Sequence, residues 1–198
     1  PLPAHAPPAA PACVVEPLLD VPTGGVDNLA DALTPSAAVV AFTTMSVAPD
    51  GAFTRHGGRT VIVDRATRAI HEGATVADGV DVVAAARGED VWLAWFPNGV
   101  GTRVVHAVPT GAGTPSDDFD VPFVGMLDAL ALADDGALWL ALSGPASEEG
   151  TPFATLARIG GPGDVRLVER VGYARDAPYR GLLPRAGGRV LVARRAFG

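Results

Sequence analysis

LDALALADDGALWLALSG, residues 127–144, decides how this chain is read. Two runs of alternating apolar residues flank Asp134-Asp135-Gly136. An acidic pair followed by glycine supplies the positive-φ position that a tight antiparallel turn needs. The stretch therefore reads as two β-strands closed by a short hairpin.

The same pattern recurs along the chain. VDNLAD (26–31), VDVVAA (80–85), LDALAL (127–132) and YRGLLP (179–184) align without gaps, with Asp27, Asp81, Asp128 and Arg180 in second place. Their spacings are 54, 47 and 52 residues. A turn follows each: Thr34-Pro35-Ser36, Gly88-Glu89-Asp90, Asp134-Asp135-Gly136 and Gly187-Gly188. A second strand follows each turn: VVAF (39–42), WLAW (92–95), WLAL (139–142) and LVAR (191–194). The alanine common to these falls at 41, 94, 141 and 193, spaced 53, 47 and 52 residues apart. Two landmarks that keep nearly the same spacing define a repeat protein.

The remainder of each unit accommodates two more strands. Third strands are expected over 59–64, 102–108 and 152–159, and outer strands over 68–73, 119–124 and 165–171. Residues 46–58 read as a long loop leading into the first of the third strands. The runs are short, alternate with period two, and have Gly or Pro at their junctions, which favours strands over helical repeats. Four antiparallel strands in about fifty residues make the blade of a β-propeller, so an all-β fold of about four such repeats is expected. The blades would cover 26–73, 80–124, 127–171 and, in part, 179–198.

ALADDGALWLALSG followed by ATLARIGGPGDVRLVERV resembles blades of the NHL-like, kelch-like and two-component-sensor propellers. The resemblance covers residues 126–171 well and 26–194 loosely. The glycine-histidine and tryptophan-aspartate pairs of Trp-Asp repeats are absent, as is the double-glycine start of kelch repeats, and so the likeness implies architecture alone. Two arrangements fit the count. Residues 13–21 can lend an edge or closing strand to a four-bladed ring, or the chain is part of a larger propeller. The second is favoured because VLVARRAFG stops where a third strand would follow.

Residues 1–12, PLPAHAPPAAPA, form a Pro/Ala-rich linker of extended polyproline character, with residues 13–198 as the propeller. The rest of the composition bounds what the chain can do. Net charge is −7, all 15 basic residues are arginine, and no stretch gathers them into a stripe, which excludes a nucleic-acid surface. No apolar run approaches the ~20 residues of a membrane helix. A single cysteine, Cys13, rules out an intrachain disulfide. Its context, Ala-Pro-Ala, fits a lipidation site poorly. The linker and the non-Met start together suggest an extracytoplasmic protein: periplasmic, secreted or at the cell surface.

Asp27, Asp81 and Asp128 are the residues to watch. At one repeat position they would ring the mouth of a central channel, where three carboxylates can take Ca²⁺ or a cationic ligand. Arg180 would stand in the same ring and pair with its acidic neighbours. The plainer account is that short polar residues cap strand ends. His56, His71 and His106 share no repeat position and no metal-binding spacing, and 116–120 (SDDFD) reads as a solvated loop. Trp92, Trp95 and Trp139 read as packing between blades and not as a sugar platform. No nucleophile elbow or phosphate loop is present. The expected role is non-catalytic, binding an unidentified small molecule or protein without a cofactor. The alternative is a lactonase-like hydrolase or lyase that uses a divalent metal held by the three aspartates.

Overall fold

The computed structural model describes residues 25–76, 79–97, 101–107, 118–123, 125–144, 153–172 and 179–194. The linker, residues 13–21 and Cys13 lie outside them. The first sheet comprises β1 (Gly25–Leu33), β2 (Ala37–Val47), β3 (Phe53–Asp64) and β4 (Ile70–Val76). The second has β5 (Gly79–Arg87), β6 (Asp90–Pro97), β7 (Thr102–Ala107) and β8 (Asp118–Val121). β9 (Met126–Leu132), β10 (Leu138–Gly144), β11 (Phe153–Gly161) and β12 (Asp164–Gly172) form the third. A two-stranded fourth holds β13 (Tyr179–Arg185) and β14 (Arg189–Arg194). Within each sheet the order is sequential and every pair is antiparallel. The protein is thus all-β, built on a repeated sheet unit, as the sequence leads one to expect.

The turns form for the reasons their residues suggest. At the hairpin of β9 and β10, Gly136 takes φ +82°, and the Ala133 and Ala137 backbones close the loop at 2.8 Å. Asp135 Oδ1 accepts the Ala137 N–H at 3.1 Å, an Asx-type contact that fixes the turn.

One expectation fails. Residues 46–58 are mostly not a loop: β2 and β3 continue as a long hairpin, pairing Met45 with Arg55, Ser46 with Thr54 and Val47 with Phe53. Alternating side chains (Phe53, Arg55; Met45, Val47) let the ladder extend, and only the Pro49-Asp50-Gly51 turn interrupts it.

Successive sheets pack face to face, and their first strands lie side by side: β5 touches β1 and β9, and β9 touches β13. Between the first and second sheets, Val39, Ala41 and Ile62 meet Leu93, Trp95 and Val105. The second and third join through Ala94 and Val104 against Leu138, Leu140, Leu142 and Ile159. Ala141, Ala154 and Leu156 meet Tyr179, with Leu182 and Val192 alongside. Period two explains this division: Leu93 and Trp95 face one neighbour while Ala94 between them faces the other. Each fully buried Leu contributes about 1.5–3 kcal/mol. The three tryptophans serve this packing. Trp95 has no exposed surface and lies where any side chain at Gly58 would be, so glycine is required there.

Strand register corrects the gapless alignment. Ala41, Ala94, Ala141 and Ala193 pair with Ala30, Val83, Ala129 and Gly181. The second-strand landmark is therefore a true equivalence. Measured from it, Asp128 and Arg180 sit one residue before the pairing position, Asp81 two, and Asp27 three. The register shifts in every first strand beside these residues, between Val26 and Leu29, Gly79 and Asp81, Leu127 and Ala129, and Tyr179 and Gly181. Bulges absorb the offsets and bring unequal positions to one end of the sheets.

Candidate functional site

The first strands place Asp27, Asp81, Asp128 and Arg180 in a row at their starting ends. Asp27 Oδ2 accepts the Arg55 Nε–H at 2.6 Å, an ion pair between a half-exposed guanidinium and a largely covered carboxylate. Asp81 is more enclosed. Its Oδ2 accepts the backbone N–H of Leu127, in the next sheet, at 2.8 Å, and its Oδ1 accepts that of Val82 at 2.9 Å. Burial nevertheless raises its pKa, and the charge of Asp27 adds to the effect.

Asp128 is perturbed furthest. Ser143 Oγ donates to its Oδ1 at 2.9 Å, while Oδ2 is buried and meets no donor among the described residues. Burial pushes its pKa up to about 6; the Ser143 bond opposes this, the Asp81 charge adds to it, and Arg180 opposes it. An acid with one unsatisfied, enclosed oxygen holds its proton at a pH where ordinary carboxylates have lost theirs. The structure therefore joins the four residues electrostatically, though not as a ring of equivalents.

Sequence reasoning missed the supporting residues. Arg55 belongs to the stretch read as loop. Ser143, in a Leu-Ser-Gly-Pro context that lacks a nucleophile elbow, acts as a donor to Asp128. Thr43, buried, plays a related part in the first sheet, its Oγ1 accepting the N–H of Asn28 at 3.1 Å. Both hydroxyls lie two residues after the repeat alanine, a signal visible once that alanine is trusted.

The metal reading does not find its triad. Each aspartate is engaged with different groups, and no three His, Cys, Asp or Glu side chains among the described residues come together to hold an ion. The histidines are dispersed: His56 contacts Ser46 Oγ at 2.7 Å, and His106 stacks on Trp92 with ring centroids 4.4 Å apart. Of the acidic run, Asp118 and Asp120 are not simply a solvated loop; they begin β8 and pair with Arg103.

The opposite ends of the first strands carry the hairpin turns, which are fastened to one another. Ser36 Oγ donates to Glu89 at 2.5 Å, linking the first sheet to the second. Arg87 Nη1 donates to the Ala133 carbonyl at 2.9 Å, linking second to third. Asp134 accepts the N–H groups of Gly187 and Gly188 at 2.7 and 2.5 Å, and Trp139 Nε1 donates to the Gly188 carbonyl at 3.2 Å, linking third to fourth. These bonds hold the carboxyls of Glu89 and Asp134 below their usual range.

No family model and no curated protein matches this chain.

Proposed function

We propose that the sheets are consecutive blades of a β-propeller, part of a ring larger than the described strands, and that the chain is a non-catalytic module binding a ligand or protein. Two features favour the ring. First strands lie side by side, and the end sheets carry apolar faces with no further sheet against them among the described residues: Leu29 and Leu33 at one end, Leu183 and Leu191 at the other, are each more than half exposed. Between interior sheets such faces are covered.

The observation that carries the binding reading is the carboxylate row contributed by three sheets, tied across a sheet boundary by the Leu127 N–H on Asp81. It suits a compact organic cation such as an ammonium or guanidinium group. An extracytoplasmic setting rests on the Pro/Ala-rich segment 1–12. The enzyme reading has one observation in its favour, the pKa of about 6 at Asp128, within reach of a general acid.

Isothermal titration with spermidine at low salt tests the choice. Binding that weakens about tenfold or more in the Asp81→Asn, Asp128→Asn double variant supports the row as the site. Equal affinity in that variant removes it. Turnover of a lactone that Asp128→Asn abolishes replaces the binding reading with the enzyme.

A further inference from the structure

At the turn end, remote from the carboxylate row, a cleft of about 280 Å³ is lined by Arg87, Asp134, Pro184, Arg185 and Ala186. A second hollow shares Arg185 and Ala186 and adds Arg189. The charge here runs against that of the chain as a whole, which is −7. Six arginines elsewhere, Arg55, Arg59, Arg103, Arg158, Arg166 and Arg194, each pair with a carboxylate. Arg87, Arg185 and Arg189 make no ion pair among the described residues.

Their guanidinium groups are partly spoken for, in ways that position them without neutralising them. Arg87 spends one N–H on the Ala133 carbonyl at 2.9 Å, which fixes it at the rim, and its charge is felt by Asp134 without a direct ion pair between them. Arg189 Nε donates to the Ala186 carbonyl at 3.1 Å. The Arg185 side chain makes no hydrogen bond among the described residues. The one acid in the lining, Asp134, has both oxygens turned to the Gly187 and Gly188 amides. Two guanidinium groups around one concavity, with a third beside it, supply the donor type that carboxylate and phosphate oxygens accept.

We propose that this cleft binds a small oxyanion carrying two or more negative charges, with Arg87 and Arg185 as the principal donors and Arg189 at the flank. The volume suits a small polyanion better than a drug-sized ligand. A monovalent anion would leave one guanidinium without a partner. The site does not depend on how many sheets complete a ring, because its residues lie in hairpin turns or at the strand ends beside them, and these turns are fastened to one another. It also does not depend on the carboxylate row being a binding site.

The probes are inorganic pyrophosphate and citrate, titrated calorimetrically against a sodium chloride control of matched ionic strength. The chain should bind at least one of them with a dissociation constant of about 0.1–1 mM. Arg185→Met should weaken that binding about tenfold. Because the Arg185 side chain makes no hydrogen bond or ion pair among the described residues, the melting temperature should stay unchanged, so loss of binding is not loss of fold. Arg87→Met should weaken it as well, and Arg189→Met less. Pyrophosphate binding alone assigns a phosphate ligand, and citrate alone a carboxylate one. The Asp81→Asn, Asp128→Asn double variant should keep anion binding intact, which separates this site from the cation site. Heat no greater than the chloride control, or equal affinity in Arg185→Met, overturns the proposal.

Discussion

The two ends of the first strands use the same residue type to opposite effect. At the turn end Glu89, Asp134 and Asp135 are exposed, and each accepts a hydrogen bond from a hydroxyl, backbone amides or a guanidinium, so their pKa values are depressed. At the starting end Asp81 and Asp128 are half-buried beside one another, and their pKa values are raised. One set of carboxylates fastens sheets together. The other is held by the fold in an environment that resists its charge. Stored electrostatic cost of that kind is what a binding or proton-transfer site requires, and a fastening does not.

The difference can be broken at glycines first, where the largest effect is expected. Gly188 has φ +69°, and an added Cβ would run into the Asp135 carboxylate, while its N–H is one of the two held by Asp134. Gly188→Ala should cost about 2 kcal/mol, a fall in Tm of about 4–8 °C by thermal melt. Gly181→Ala, near the starting end of β13, meets open space and should stay within about 0.5 kcal/mol of the parent. Equal losses at both positions would mean the turn end is no more tightly fastened than the other.

Acid substitution should separate the ends by sign. Asp128 has a folded pKa of about 6 against an ordinary value of 3.8. Its protonated form is favoured by folding, so its contribution is fully present below 3.8 and is lost as pH rises through about 6. Asp128→Asn keeps an acceptor for Ser143 and carries no charge. It should therefore raise stability at pH 7.5, by about 1 kcal/mol once solvent screening is allowed for, and change little at pH 3.5. Asp134 is depressed, so its contribution is present above 3.8 and is lost as pH falls through its folded value. Asp134→Ala should be destabilising at pH 7.5 and progressively less so in acid. Melting curves across pH give both slopes, and parallel slopes would contradict the contrast between the ends.

The hairpins, the repeat and the all-β class are legible because they depend on local facts. Period-two alternation, Asp-Asp-Gly at 134–136 and the recurring alanine are written in consecutive residues. Apart from β3, which starts at Phe53 where a strand over 59–64 is expected, the positions of the strands follow with small differences: 165–171 is expected and Asp164–Gly172 observed. The carboxylate row is legible only in outline. A gapless alignment finds its members but gives them one position, because a bulge adds residues to a strand without leaving any mark on composition. Arg55 is hidden for a different reason. Pro49, Gly51, Gly57 and Gly58 give its surroundings the look of a loop, yet Gly57 and Gly58 lie within β3, with Gly58 a strand residue kept small by Trp95 from another sheet. Requirements set across sheet boundaries leave single-residue traces that no periodicity reveals.

The smallest expected effect tests whether the row acts as one unit. The charge of Asp81 is the second cause raising Asp128, after burial. Asp81→Asn keeps an oxygen for the Leu127 amide and removes that charge. The Asp128 carboxyl, followed by carbon-13 NMR through a pH titration, should then titrate below about 6 but still above 3.8, because its burial is unchanged. Asp27→Asn should move it less, since Asp27 is already paired with Arg55 and acts on Asp81 rather than on Asp128. If Asp81→Asn leaves the Asp128 titration where it was, burial alone perturbs it, and the three aspartates are neighbours that share an end of the sheets without sharing a charge balance.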